Sequence, residues 1–317
     1  MTEPKNPARL RLNRLIARFG ICSRRKADEL IVQGRVSIDG VVCREVGTEV
    51  EPSQQRISVD GQLLKKEPPR TYLMLHKPLN VVTTRSDPQN RRTVIDLLPK
   101  NLQNTGVFPV GRLDADSEGL LLLSNDGDWS QILLHPQHQV WKEYIVRTDA
   151  PIPPAIRSQL ENGVWLDGKK TIPARVRPVG GADTHVVRFS IREGRNRQIR
   201  RMCLKFRIKV VSLQRVTMGP IHLGDLPVGH WRELTPKEVQ SVLALEQEAA
   251  VTSPAPSRRP RQETRSKRPS PRDPQGSGGV ARPGTKAKRP ARPEKSTPWR
   301  KSEHKKHSAG PKNRSPK

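Results

Sequence analysis

Several residue types are scarce in this chain. Its 317 residues include only 3 cysteines, 2 tyrosines and 4 phenylalanines. Cys22, Cys43 and Cys203 are far apart, odd in number and free of any C-x-x-C spacing. That excludes a disulfide framework and a cysteine zinc site, and it suits buried thiols in a reducing cytoplasm. No apolar run approaches the roughly 18 residues of a membrane span, and Met1–Leu10 does not read as a signal peptide. A cytoplasmic protein with no membrane partner is expected.

Acidic residues are also scarce. The 31 Asp and Glu face 59 Lys and Arg, giving a formal net charge of +28. Such an excess implies a polyanionic partner, nucleic acid before an anionic membrane. Residues 252–317 hold 20 Lys/Arg against 4 Asp/Glu, which leaves +12 for residues 1–251. The same segment carries 12 of the 30 prolines and one aromatic, Trp299. It cannot bury enough apolar area to offset chain entropy, so a disordered basic tail is expected over 251–317.

Residues 1–8, with Pro4 and Pro7, look frayed. Leu12, Leu15, Ile16 and Phe19 then recur at helical spacing, with Gly20 as a stop. Ser23 is a good N-cap for a second helix that Gly34 closes. Arg24, Arg25 and Lys26 crowd the start of that helix, where cations oppose its dipole. A phosphate would compensate them. Asp39-Gly40 and Asp60-Gly61 sit between short alternating runs and predict two hairpins. Residues 65–70, with Pro68-Pro69, read as a linker. Further on, strands are expected at Tyr72–Leu75, Phe108–Val110, Val140–Val146, Val164–Leu166, Ala174–Val179, Val186–Ile191, Val210–Val216 and Leu226–Leu234. Helices are expected at Thr93–Leu98, Trp129–Leu134 with Asp128 as N-cap, Pro153–Asn162, Glu193–Phe206 and Pro236–Glu248. Strands and helices interleave with many hairpins, which argues an α+β fold with a largely antiparallel sheet.

The chain is organised around Gly111–Gly127, G-R-L-D-A-D-S-E-G-L-L-L-L-S-N-D-G. A compact knot of Arg112, Asp114, Asp116 and Glu118 leads into Leu120–Leu123 and ends in a turn signal. The leucines read as a buried core strand, so the knot sits where acids are held rigidly. This stretch resembles the signature of the RsuA/RluB-type RNA pseudouridine synthases. Other segments carry the same resemblance. They are His76-Lys77-Pro78 (with His for the usual Asn, and Leu79-Asn80 where a Gly is usual), Lys142-Glu143-Tyr144, E-G-R-N-R-Q-I-R at 193–200, and Leu213-Gln214-Arg215. Residues 9–64 resemble the αL-type RNA-binding domain shared with a small-subunit ribosomal protein.

The resemblance implies an N-terminal αL-type domain at 9–64, a linker at 65–70 and a synthase domain at 71–250, with a mixed, largely antiparallel sheet flanked by helices. The activity it implies is isomerisation of uridine to pseudouridine in ribosomal RNA, without cofactor or metal. Asp114 would be the nucleophile, Tyr144 would stack on the flipped base, and Arg200 would pair with Asp114. Arg112 would fill the gap left by the base, and Leu213 would pack the floor. Arg14, Arg18, Arg24, Arg25, Lys26 and Arg35 would present positive charge to RNA. Arg200 and its wording favour the large-subunit branch, with 23S rRNA or a pre-ribosomal particle as partner and a monomeric enzyme. The alternatives are a small-subunit synthase and a non-catalytic RNA-binding or assembly factor. A calcium-loop reading of Asp114, Asp116 and Glu118 fails because Asn125 stands where a Glu is needed and leucines fill positions 7 to 10.

The charge distribution generates a first prediction. Truncation after Val251 is expected to leave the fold intact and to flatten the salt dependence of RNA binding, because fewer counterions are released. Titration of full-length and truncated protein onto one rRNA fragment at several salt concentrations checks this. An unchanged slope would mean that the tail only solvates the protein.

Overall fold

The computed structural model describes residues 9–180 and 185–252. The expected frayed start at 1–8 and nearly all of the expected tail lie outside the described residues. Two helices, Leu12–Arg18 and Arg24–Val32, open the fold. Ser23 caps the second through its side chain, which accepts from the Lys26 backbone N–H at 3.2 Å. Gly20 and Gly34 end the two helices at φ of +76° and +73°, the left-handed stop that glycine takes without strain. Both Asp-Gly pairs have positive φ at both positions, as a tight hairpin turn requires. The resulting four-stranded antiparallel sheet has Val36–Ile38 and Ile57–Val59 at its centre. Leu12, Leu15, Ile16, Leu30 and Ile31 pack against Val36, Ile57 and Val59 as one core.

Residues 72–233 build a nine-stranded mixed sheet. Its order runs Arg175–Pro178, Val186–Ile191, Lys142–Thr148, Val210–Met218, Glu118–Ser124, Tyr72–Lys77, Trp231–Glu233. One neighbouring pair is parallel, Val210–Met218 beside Glu118–Ser124, and the remainder are antiparallel. The fold is α+β, as expected.

The leucine run lies at the centre of this sheet. Leu120 and Leu122 face one core with Trp129, Ile132 and Met218. Leu121 and Leu123 face the other with Leu73, Leu75 and Val146. Strand side chains alternate, so a four-leucine run is what a strand covered on both faces needs.

Some expected elements differ. Thr93–Leu98 is a series of turns, and the short helix follows at Lys100–Gln103. The Asp96 carboxylate accepts from the Thr93 backbone N–H and hydroxyl at 2.7 and 2.9 Å, and such local bonds compete with a helix. Pro99 also disfavours helical geometry at Leu98. Asp126, not Asp128, caps the helix Gly127–Leu134, accepting from the backbone N–H groups of Asp128 and Trp129. The helix of the basic motif starts only at Gln198, with Glu193–Arg197 forming a loop. The last strand is limited to Trp231–Glu233.

The parallel pair depends on a glycine. Gly119 has φ +105°, and a Cβ there would lie 2.3 Å from the Arg215 carbonyl oxygen. Gly119→Ala is expected to destabilise the protein by ~3 kcal/mol or more, from backbone strain and steric overlap. Urea unfolding measures it, and a midpoint matching wild type would show that the two strands are free to separate.

Candidate active site

The knot is the loop of a wide hairpin. Phe108–Val110 pairs with Leu122–Ser124, and residues 111–117 span the gap. The loop is tied down from several sides. Thr83 Oγ1 donates to the Leu113 carbonyl at 2.6 Å, and the Asn80 N–H donates to the Ala115 carbonyl at 2.8 Å. Asn80 stands at φ +61°, so it supplies the left-handed turn that a glycine would otherwise provide.

Lys77 lies beneath the loop and is 0% exposed. Its Nζ donates to the carbonyls of Pro78 and Ser117 at 2.8 Å each. Burial pulls this ammonium down to about 8, against the pull of Asp114, Asp116 and Glu118 in the other direction. A buried cation beneath three acids offsets part of their mutual repulsion.

Two arginines approach from the other side. Arg197 adopts a left-handed backbone at φ +48° just ahead of its helix. Its guanidinium grips Asp116 at 3.0 and 2.7 Å and lies 3.7 Å from Asp114 Oδ2. That bond, foremost, lowers the pKa of Asp116. Arg200 Nη2 donates to the Asp116 carbonyl at 2.6 Å, and its Nη1 donates to the Val210 carbonyl at 3.0 Å. Its Nε is 3.5 Å from the Asp116 carboxylate. The expected Arg200–Asp114 pair is therefore not formed. Arg200 holds the backbone two residues beyond Asp114, because its helix starts late and Arg197 takes the position over the acid.

A cavity of about 520 Å³ opens beside the knot. Arg112, Asp114, Tyr144 and Leu213 line it together. Tyr144 and Leu213 are buried on adjacent strands, while Arg112 is exposed at the rim. Arg200 does not line the cavity. The N-terminal cations do not line it either, and their situations differ. Arg14 pairs with Asp128, Arg18 with Glu67, Lys26 with Glu29, and Arg35 with Asp60. Among the described residues Arg24 and Arg25 form no ion pair.

Five cavity cations, Lys142, Arg192, Arg195, Arg197 and Arg215, are given no role by the sequence. Lys142 stands two residues before Tyr144 on one strand face, a spacing that was open to notice. Burial, with Arg215 nearby, lowers its pKa to about 8. Arg215 is 2% exposed; its Nε donates to the Leu120 carbonyl at 2.7 Å, and its Nη2 has no partner. Arg192 stacks on Trp141 at 4.8 Å, with Arg175 also over that ring at 4.4 Å. The cavity thus joins two carboxylates, the more exposed Asp114 and a Glu193 paired with Arg195, with an aromatic ring, apolar walls from Ile172, Ile191, Leu213 and Met218, and three cations without an acidic partner, Lys142, Arg192 and Arg215. Such a site can take a flat polar base attached to an anionic backbone.

Comparison with known proteins agrees with this geometry. A family model described as RNA pseudouridylate synthase matches residues 71–205, and an S4 domain model matches residues 10–55. The chain is 39% identical over 238 residues to ribosomal large subunit pseudouridine synthase B of Bacillus subtilis, covering 74% of this chain and 96% of that protein. It is 39% identical over 236 residues to ribosomal small subunit pseudouridine synthase A of Pseudomonas aeruginosa, covering 74% of this chain and 100% of the other. A crystal structure of a pseudouridylate synthase superposes with a TM-score of 0.55 at 30% identity, over 74% of this chain and 99% of that one.

The buried lysines give a pH signature. A lysine whose folded pKa is lowered to about 8 from 10.5 binds fewer protons folded than unfolded between those values. Its burial therefore weakens the fold at neutral pH, and stability rises as pH climbs through that window. Lys77→Met is expected to flatten the rise, leaving the part due to Lys142. Urea midpoints from pH 7 to 10 for both proteins measure it, and parallel curves would place the Lys77 ammonium in water.

Proposed function

Because the chain belongs to the RNA pseudouridylate synthase family, we propose that it converts a uridine of large-subunit ribosomal RNA to pseudouridine, with Asp114 as nucleophile. The reaction breaks the bond from ribose C1′ to uracil N1 and makes one from C1′ to C5. The C5 proton is lost and N1 gains one, so atoms and electrons balance within the substrate. The observation that carries the reading is the meeting of Asp114 and Tyr144 in one cavity, beside a loop clamped by Arg197 and Arg200.

Each residue's part follows from its position. Asp114 is the more accessible acid of the cavity, with its side chain 35% exposed and Arg197 Nη1 3.7 Å from its Oδ2. A uridine must leave the stack to reach it. Tyr144 provides the ring against which the base lies, and Leu213 provides the apolar floor beside it. Arg112, exposed at the rim, fills the vacated place in the RNA. Arg200 acts as a positioning residue. It fixes the Asp116 backbone, and a fixed loop keeps Asp114 aimed. The basic N-terminal helices dock structured RNA, chiefly through Arg24 and Arg25. Large-subunit RNA is favoured by the G-R-N-R-Q-I-R motif ending in Arg200. The enzyme acts in the cytoplasm as a monomer with domains at 9–64 and 71–250.

Asp114→Asn is expected to abolish isomerisation and to leave rRNA binding within about twofold, since it removes a nucleophile and no phosphate contact. Incubation with an rRNA transcript and no added cofactor, followed by pseudouridine mapping, measures the first, and titration of the same transcript measures the second. Retention of more than a few per cent of activity would remove Asp114 from this role. Mapping rRNA from cells without the protein distinguishes the subunits.

A further inference from the structure

A second cavity, of about 360 Å³, lies at the far end of the helix Gln198–Leu204 from the catalytic one. Trp165, Phe206, Gln159, Asn162 and Lys205 line it. Trp165 is 63% exposed, although tryptophan is among the more buried residue types on average. It sits on a two-stranded hairpin, Trp165–Leu166 with Lys169–Lys170. A lone hairpin of this size is barely stable in water, and here it is braced. Arg195 donates to the carbonyls of Lys169 and Lys170 at 2.8 and 2.6 Å, and Arg201 pairs with Asp167. Leu166 anchors the inner face in the core. Gly163 packs so closely on Thr171 that a Cβ would lie 2.4 Å from its carbonyl oxygen. The indole is therefore held out to solvent on a fixed support, and Arg195 ties that support to the catalytic cavity it also lines.

The chemistry around the indole is of one kind. Gln159 and Asn162 are exposed, and among the described residues their side-chain amides make no internal hydrogen bond. Each amide offers donors and an acceptor. Lys205, Lys169 and Lys170 are exposed and form no ion pair among the described residues. Nearby acids are already engaged, Asp167 by Arg201 and Glu161 by the Val176 N–H. An exposed ring, here Trp165 with the half-buried Phe206 beside it, free amides and unpaired cations are what proteins use to hold splayed single-stranded RNA.

We infer that Trp165, Phe206, Gln159, Asn162 and Lys205 form a second nucleobase site, which takes one unpaired nucleotide of the same RNA whose uridine enters the catalytic cavity. The inference rests on the RNA reading above. The base stacks on Trp165, its edge meets the two amides, and Lys205 meets its phosphate. The site anchors the strand beside the target and takes no part in the chemistry.

The test uses full-length protein with Trp165→Ala, Trp165→Phe and Lys205→Gln variants. The probes are a mixed-sequence single-stranded RNA octamer, the same octamer as a duplex, and an rRNA transcript. Trp165→Ala is expected to weaken octamer binding by roughly 5- to 150-fold, the range of one lost base stack. Duplex binding and the salt slope stay unchanged, and Trp165→Phe retains most of the affinity. Lys205→Gln lowers the salt slope. On the transcript, Trp165→Ala raises KM and leaves kcat at the wild-type value. Wild-type octamer affinity in Trp165→Ala, or equal losses for octamer and duplex, overturns the site. So does concentration-dependent self-association of the wild type that Trp165→Ala abolishes, since the indole would then serve a second copy. Pseudouridine formation by the wild type is scored separately, so a failed site is distinguishable from a failed function.

Discussion

The structure depends on keeping a cluster of carboxylates in one place without neutralising the one that is accessible. Asp114, Asp116 and Glu118 fall within five residues and repel one another. Lys77 sits buried below them, and Arg197 and Arg200 close from above. Lys77 pays for its burial with a pKa near 8, yet it is placed where no water can weaken its field. The arginines spend their strongest bonds on Asp116 and leave Asp114 only a distant contact at 3.7 Å. Asp116 is thus the structural acid that absorbs the pairing, and Asp114 stays uncovered. An acid gripped bidentately by arginine would make a poorer nucleophile.

The strand carrying the cluster has to be immobile for this to work. Its four leucines are shared between cores on the two faces of the sheet, so any shift of register would disturb both at once. The neighbouring strand runs parallel to it only at Gln214–Arg215, and that short contact is where Gly119 admits the Arg215 backbone. The two motifs, Gly119 after the acids and Arg215 after Leu213, are one packing unit, although 96 residues separate them.

Much of this was legible in the sequence, and the reasons are local. Ser23, Gly20, Gly34 and the two Asp-Gly turns each state their own geometry, because a cap or a tight turn is decided within four residues. The leucine run was readable as a buried strand for the same reason. Thr93–Leu98 was not, since two bonds accepted by the Asp96 carboxylate, with Pro99 beyond, outweigh weak apolar spacing. The partner of Arg200 was not readable either. Motif order places Arg197 and Arg200 within a turn, but which guanidinium reaches which acid depends on where the helix begins. Lys142 and Arg215 were visible as letters in motifs. Their significance lies in burial without an acid, which is a property of the folded cavity alone.

That property sorts the cations of the folded part into two groups. Arg14, Arg18, Lys26, Arg35, Arg201 and Arg232 each face an acid and help to hold the protein's own surface together. Such exposed pairs contribute little each, on the order of 0–1 kcal/mol. Arg24, Arg25, Arg112, Lys142, Lys205 and Arg215 have no such acid. For the buried Arg215 and the half-buried Lys142 the shortage is costly, because desolvated charge without a counter-charge destabilises the fold. A chain with 28 more positive than negative charges cannot pair every cation, but it can choose which ones to leave. Among the described cations left without an acid are those at the start of the second helix, at the cavity beside Asp114 and beside Trp165. Each of these places lacks the negative charge that an RNA backbone carries, so the binding of RNA restores a balance that folding leaves incomplete.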